Sequence, residues 1–425
     1  MRILYLHQYF TTPQMAGGTR SYEMARRWAA AGHEVHVVTS ERTADHAAFG
    51  WQVEHIEGLT IHRQRIPYSN AMPFRRRLIA FARFALLAGP RGRALRPDVV
   101  FATSTPLTIA IPARLATIGR PTPLVFEVRD LWPEVPIAMG ILRNPVTKTF
   151  ARLLERLAYK WSSHVIALSP GMADGVRKTG YDPDQITIAP NACDFERFAV
   201  DSEVGLAYRA KASWLGDRPL IAYCGTFGRA NNVAYLVEVA AALQTRGSNA
   251  VVGLFGSGME EPEIRRFASE LGVLDRNLIM AGEIPKEQVP AVLSAASLCV
   301  SVFAPVPALE ANSANKFFDA LAAARPIAIN YGGWQAAIIQ KHNIGLVLDP
   351  RDPGGAAAAI DTFLDQPTEF RQPAGDRASR VGRQLFDRDT VSSRVLAVLE
   401  SVERPRISDR WRPIMGSWLR RGTGS

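Results

Sequence analysis

Short runs of consecutive apolar residues alternate with longer segments whose apolar positions recur at helical spacing, almost from one end of the chain to the other. Runs at 2–7, 35–39, 99–102, 124–127 and 164–168 predict buried strands; segments 20–31, 106–115, 148–161 and 171–179 predict amphipathic helices. Over 198–217 there is no strand signal, and the alternation then restarts. The second series has strands at 220–224, 251–255, 278–281, 298–302, 327–330 and 345–348. Its helices fall at 232–244, 260–271, 289–295, 315–323 and 334–340. Such alternation builds doubly wound parallel sheets, which take ligands at the carboxyl ends of their strands. The expected fold class is therefore α/β, with two Rossmann-like domains facing each other across a cleft. The divisions are a first domain 1–197, a linker 198–217, a second domain 218–380, a helix 381–403 able to cross back to the first domain, and a tail 404–425.

Composition agrees with two ordinary cores. The chain has 425 residues, 47% of them hydrophobic and 21% charged, which excludes a disordered protein. Cys193, Cys224 and Cys299 are widely spaced and odd in number, so neither a disulfide framework nor a zinc site is expected, and a reducing compartment is. The eight histidines show no metal-ligand spacing. The opening MRILYLHQYF reads as a buried first strand and not as a leader, because its apolar run stops at Leu6 with no small-residue cleavage site after it. No window reaches the roughly 20 apolar residues that span a bilayer. A cytoplasmic, non-integral protein is the expectation.

The net charge of +10 is unevenly placed: nine arginines and no acid lie between Arg63 and Arg96. Within 73–88, Arg75, Arg76, Arg77 and Arg83 are interleaved with Phe74, Leu78, Ile79, Phe81, Phe84, Leu86 and Leu87. A basic helix with that much apolar surface reads as an element lying on an anionic membrane face; a surface helix docked on its own domain with solvated arginines is the plainer reading. No RNA- or DNA-binding signature accompanies the charge, so no nucleic-acid partner is expected. The tail is again basic, with Trp411, Trp418 and Leu419, and reads equally as a second membrane contact or a frayed end.

Candidate chemistry sits at strand ends. Gly17 and Gly18 follow the first strand and precede a helix, where backbone amides and the helix dipole attract anions. Gly225, Thr226, Gly228 and Arg229 hold the matching place in the second domain, and Gly256 and Gly258 end its next strand. Three such loops over two domains point to a phosphate-bearing ligand between the halves. The segment NSANKFFDALAAARP from Asn312 adds a helix start whose Asn and Ser are good caps, with Lys316 and Asp319 on its first turns.

Four pieces, LYLHQYFTTPQMAGGTRSYEMARRWAAAGHEVHVVT, FEVRDLWPE, IAPNACDFERF and KFFDALAAARPI, together resemble glycosyltransferase family 4 of the GT-B fold over residues 1 to about 400. The closest resemblance is to the bacterial polysaccharide branch that includes N-acetylfucosaminyl transferases. It implies a retaining, metal-independent transferase using a nucleotide sugar, with UDP the expected carrier, and a polyprenyl-diphosphate-linked acceptor in O-antigen, capsule or exopolysaccharide synthesis at the inner membrane face. No cofactor is implied. Asp319 falls at the second acidic place of the family's paired-glutamate motif, which binds the donor ribose. The first falls at Ala311, with Glu310 one residue out of register, so sugar recognition passes to Asn312, Ser313 and Asn315. The family's Arg and Lys pair is replaced by Thr226 and Asn232, with Arg229 the nearest cation, and its histidine by Arg129, ahead of Asp130. The implied nucleotide-sugar set is Gly17, Gly18, Thr226, Asn232, Gly256, Glu283, Asn312, Ser313, Asn315 and Asp319. Lys316 and Arg229 would neutralise the leaving diphosphate, with Asp130, then Glu127 and His7, as candidate acid–base groups; Arg75, Arg76, Arg77 and Arg83 would meet membrane and acceptor. Two rivals share the fold: a nonhydrolysing nucleotide-sugar epimerase and a non-catalytic membrane-associated nucleotide-binding subunit.

Overall fold

The computed structural model describes residues 1–402 apart from 16, 42–49, 69–71, 73 and 105. The tail 404–425, with Trp411, Trp418 and Leu419, lies outside the described residues.

The first domain is an eight-stranded sheet: β1 (Arg2–Leu6), β2 (Glu34–Glu41), β3 (Trp51–Ile56), β4 (Leu59–Arg65), β5 (Val99–Thr103), β6 (Leu124–Val128), β7 (His164–Ala167) and β8 (Ile186–Ile188). Their order is β3-β4-β2-β1-β5-β6-β7-β8, all parallel except the β3–β4 hairpin. The second domain is a six-stranded, wholly parallel sheet of β9 (Leu220–Cys224), β10 (Val251–Phe255), β11 (Leu278–Gly282), β12 (Leu298–Ser301), β13 (Ile327–Ile329) and β14 (Gly345–Val347), ordered β11-β10-β9-β12-β13-β14. Central strands such as β5, β6 and β10 are buried at every position, as a parallel sheet covered on both faces requires.

One face of the first sheet is covered by the helices Phe74–Ala94, Ala110–Thr117, Pro145–Trp161 and Pro170–Arg177, joined in one core that includes Phe84, Ala88, Ala113, Tyr159 and Met172. The other face is covered by Arg20–Ala30 and, from the far end of the chain, Arg388–Val402, whose Val391, Val395 and Leu399 pack with Ile3, Tyr5 and Trp28. The carboxyl-terminal helix therefore straps the second domain to the first.

Two expected boundaries change. The stretch 198–217 is not a linker: the helix Ser202–Lys211 packs on Val289–Ala295, and Phe198, Ala212 and Leu215 belong to the second domain's core. The returning helix does not begin at 381, because Thr368–Leu385 is a second-domain helix packed on Asn315–Ala322, and the chain crosses only at Phe386 and Asp387.

Candidate active site between the domains

A cavity of about 430 Å³ lies between the domains, at the carboxyl ends of β1, β9 and β10. Its first-domain wall holds Gly17, Gly18, Arg20 and Glu23; its second-domain wall holds Gly225, Thr226, Gly256, Glu283, Lys286, Asn315, Lys316 and Asp319. Asn191, Asp194, Arg197 and Arg388 close it at the crossover.

The two second-domain glycine loops nest against each other. Gly225 N donates to Phe255 O (2.8 Å) and Phe227 N to Ser257 O (2.8 Å). At Gly256, with φ of +146°, an added Cβ would stand 1.9 Å from Gly225 O, so only glycine permits this approach. Gly225 leaves room for something else: an added Cβ would meet Lys316 Cε at 2.3 Å and Nζ at 2.9 Å. The lysine thus runs beneath the loop after β9. Its ammonium sits 5.0 Å over the Tyr223 ring and donates to Asn231 Oδ1 at 3.4 Å. Burial pushes its pKa down to about 8, against the pull of Asp319 and Cys224.

The helix Asn315–Ala322 carries Lys316 and Asp319 into the cavity, and no side chain caps it. Asn312 and Ser313 do not cap it, contrary to their sequence reading. Ser313 Oγ accepts from Asn191 N (3.1 Å) and Ser313 O from Asn191 Nδ2 (2.6 Å), while Asn312 O accepts from Trp334 Nε1 (3.0 Å). Both residues tie the helix start to its surroundings and neither lines the cavity. The helix start, with Asn315 and Lys316 in the lining and no side-chain cap, puts the dipole's positive end at the cavity wall. Asp319, one turn in, has its pKa raised to about 7 by burial and by Asp194, against Arg388, Lys316 and Arg197.

Other expected residues fall elsewhere. Arg229 is exposed, and Asn232 and Asp130 are half-buried; none of the three lines the cavity. Glu127 is buried and spent: Oε1 accepts from Arg20 Nε (3.1 Å) and Nη2 (2.9 Å), Oε2 from Thr103 Oγ1 (2.6 Å). His7 is buried away from the lining. Glu283 lines the cavity and accepts from Ser257 Oγ (3.1 Å). Gly18 is the meeting point of both domains, since an added Cβ would lie 3.6 Å from Asn315 Nδ2 and 4.0 Å from Arg129 Nη2.

At the place of the missing first glutamate, Ala311 packs against the first domain. Ser169 Oγ donates to its carbonyl, and an added Cβ on Gly171 would stand 2.9 Å from Ala311 Cβ. Glu310 is exposed and faces Gly332, so it does not substitute. Residues that the sequence reading passed over complete the charge: Lys286 Nζ donates to Met15 O across the cleft, and Arg388 pairs with Asp194 (3.0 Å) and Glu23 (3.4 Å). Arg388 lies more than 60 residues beyond the motif helix and shows no local signal; only the crossing chain brings it here. Lys316 and Lys286 donate to neutral oxygens, not carboxylates, and so keep their charge for a ligand. Among the described residues no group of three or more His, Cys, Asp or Glu side chains could hold a metal ion.

Two parallel-sheet domains closing on glycine loops, an uncapped helix start and unpaired lysines define a protein that holds a phosphate-bearing ligand across its cleft. Comparison with known proteins gives that class a family. Residues 16–192 match the model of a glycosyl transferase 4-like domain, and residues 218–366 that of glycosyl transferases group 1. The chain belongs to the GT-B glycosyltransferases. It is similar to an alpha-D-kanosaminyltransferase of Streptomyces kanamyceticus, 25% identical over 236 residues, a match spanning 55% of this chain and 59% of that enzyme. In structure it resembles sucrose-phosphate synthase of Thermosynechococcus elongatus, with a TM-score of 0.76 at 18% identity over 94% of this chain and 98% of that one. It also resembles HepE of Anabaena in complex with UDP, with a TM-score of 0.70 at 17% identity over 94% and 100% of the two chains.

Proposed function

We propose that this chain is a retaining, metal-independent transferase that moves a sugar from UDP to a lipid-linked saccharide acceptor at a membrane face, in the synthesis of O-antigen, capsule or exopolysaccharide. The observation that carries the donor part is Lys316 beneath Gly225, beside the open start of its own helix. Departure of a nucleoside diphosphate builds charge on the β-phosphate, and a buried ammonium with oriented amides stabilises that charge far better than water does. Asp319, one turn along, is placed to accept the ribose hydroxyls. The bond from the anomeric carbon to the phosphate oxygen breaks, the acceptor oxygen bonds to the same face, and its proton passes to the leaving phosphate. No protein nucleophile enters. The structure of HepE with UDP supports the choice of base.

The acceptor part rests on the outer helices of the first domain. On Phe74–Ala94, Ala80, Phe84 and Ala88 face the core while Arg75, Arg76 and Arg83 are exposed with Leu78, Ile79 and Leu86; Arg77 is half-buried. Pro145–Trp161, in the same layer, exposes Val146, Phe150 and Leu153. Apolar tips among arginines suit an anionic lipid face. No helix among the described residues is long and apolar enough to cross a membrane.

The test is turnover of UDP-sugars with membrane extracts as acceptor source, alongside thermal shifts with UDP and GDP. Label reaching the lipid fraction with stereochemistry retained supports the reading. Conversion of the donor without acceptor would instead mark an epimerase.

A further inference from the structure

The two lysines of the donor cavity, Lys286 and Lys316, both belong to the second domain. On the first-domain wall, Arg20 is committed to Glu127 (2.9 Å). Just beyond that wall stands a cation that is not committed. Arg129 follows β6, its backbone N–H donating to Ser104 Oγ (2.9 Å), and the residue is half-buried. Among the described residues no hydrogen bond or ion pair engages its guanidinium. Glu127, two residues earlier, is fully buried and already shared by Arg20 and Thr103.

Gly18 locates that guanidinium. The glycine is exposed in the cavity wall, and its loop is pinned by Thr11 Oγ1, which donates to Gly18 O (2.7 Å). At the point where a Cβ would stand, Asn315 Nδ2 is 3.6 Å away and Arg129 Nη2 4.0 Å. Apart from Gly18's chain neighbours, no other atom of the described residues lies within 4 Å of that point. The glycine therefore leaves a space bounded by two nitrogen donors, one from each domain, and no acceptor stands there to receive them. Lys316 follows Asn315 on the same helix start. A phosphate centred near that point would direct oxygens to both donors, and a guanidinium without a carboxylate is well suited to bind them.

We infer that Arg129 touches the substrate: from the first domain it binds oxygens of the donor's β-phosphate, which Lys316 meets from the second. The inference rests on the nucleotide-diphosphate reading of the donor cavity given above. Arg129 is then a catalytic residue that stabilises the leaving phosphate. It also ties diphosphate binding to the approach of the two domains, because Asn315 and Arg129 share the ligand.

Calorimetry on the full chain with UDP and UMP, and with GDP and GMP, tests this, since only the diphosphates carry a β-phosphate. In the wild type one diphosphate should bind more tightly than its own monophosphate. Arg129→Gln should weaken that diphosphate about tenfold or more and leave the monophosphate within about twofold, with Arg129→Lys in between. Gly18→Ala fills the space with a methyl group that meets no atom outside its chain neighbours closer than 3.6 Å. It should have the same selective effect and leave the melting temperature unchanged. Equal weakening of diphosphate and monophosphate in both variants would overturn the inference. So would undiminished diphosphate affinity in Arg129→Gln, which would turn the guanidinium toward the sugar or the acceptor; neither result would touch the donor reading. Failure of UDP and GDP alike to bind the wild type would overturn the donor reading itself, and this inference with it.

Discussion

Gly225→Ala should act on a residue 91 positions away in sequence, because the new methyl group would occupy the space of the Lys316 side chain. The contact distances are 2.3 Å to Cε and 2.9 Å to Nζ, and the nearest other atom is Tyr223 Oη at 3.3 Å. Only the flexible end of a lysine has to move, so β9 and the fold should survive. What is lost is an ammonium placed for the diphosphate. A hydrogen bond to a charged group contributes about 1.5–3 kcal/mol, equivalent to roughly 10- to 150-fold in UDP affinity. In turnover, loss of one such donor costs about 10²–10³-fold. Calorimetry on the wild type, Gly225→Ala, Lys316→Met and the double variant separates eviction of Lys316 from a direct clash with the ligand. If eviction is the cause, each single change weakens UDP binding similarly and the double variant is no worse than either. Additive losses, or unaltered binding in Gly225→Ala, would refute the reasoning. Gly256→Ala is the contrast: its methyl would stand 1.9 Å from the Gly225 carbonyl, which is backbone, at a φ of +146°. It should lower thermal stability, which Gly225→Ala should not.

UDP binding should depend on pH on both sides. Burial raises the pKa of the Asp319 carboxyl and lowers that of the Lys316 ammonium, so the carboxylate is lost as pH falls and the ammonium as it rises. Affinity measured by calorimetry should fall on both sides, and Asp319→Asn should remove the acidic limb while leaving the basic one. Glu155, buried beside Tyr159, should set a pH-dependent stability: burial raises its pKa from 4.5 to about 7, while the Tyr159 hydroxyl opposes the shift. A carboxyl raised on folding is harmless below pH 4.5, and stability is lost as pH rises through 7, by up to about 3 kcal/mol. Glu155→Gln should therefore raise the melting temperature at pH 8 and leave it unchanged at pH 4. Replacing Arg75, Arg76 and Arg77 by Ser should release the protein from anionic vesicles in a flotation assay. Ala311→Glu should lower both stability and turnover, because the longer side chain would be driven against Gly171 of the facing domain.

Both parallel sheets were legible because buried parallel strands are continuous apolar runs, such as LIAYC in β9 and VVGLF in β10, and these strands fall where the runs do. The hairpin of β3 and β4 escaped for a physical reason. β3, WQVEHI, is an edge strand with no fully buried residue, so selection for apolar alternation is absent. Its turn, Glu57–Gly58, has positive φ at both residues, as a tight primed turn requires, yet uses Glu where Asn or Asp would have announced it. The helix within 198–217 leaves little trace in the sequence, because only Gly205 is buried along it and no apolar stripe marks its packed face.

The site divides along the same line, between what a local stretch encodes and what the crossing chain assembles. Gly225, Gly256, Lys316 and Asp319 belong to strand ends and a helix start, and the strand order brings them together. Arg388 and Lys286 are ordinary surface-type residues in sequence, and become part of the cavity only because Arg388–Val402 packs on the first domain and Met15 reaches over to Lys286. Arg229 illustrates the converse. It is the nearest cation in sequence to the loop after β9, but it is exposed and outside the cavity lining, while Lys316, from another element, packs under Gly225. The cation beneath the loop after β9 is thus supplied by a neighbouring helix, and on the proposed function the glycine that admits the lysine belongs to the diphosphate site as much as the lysine does.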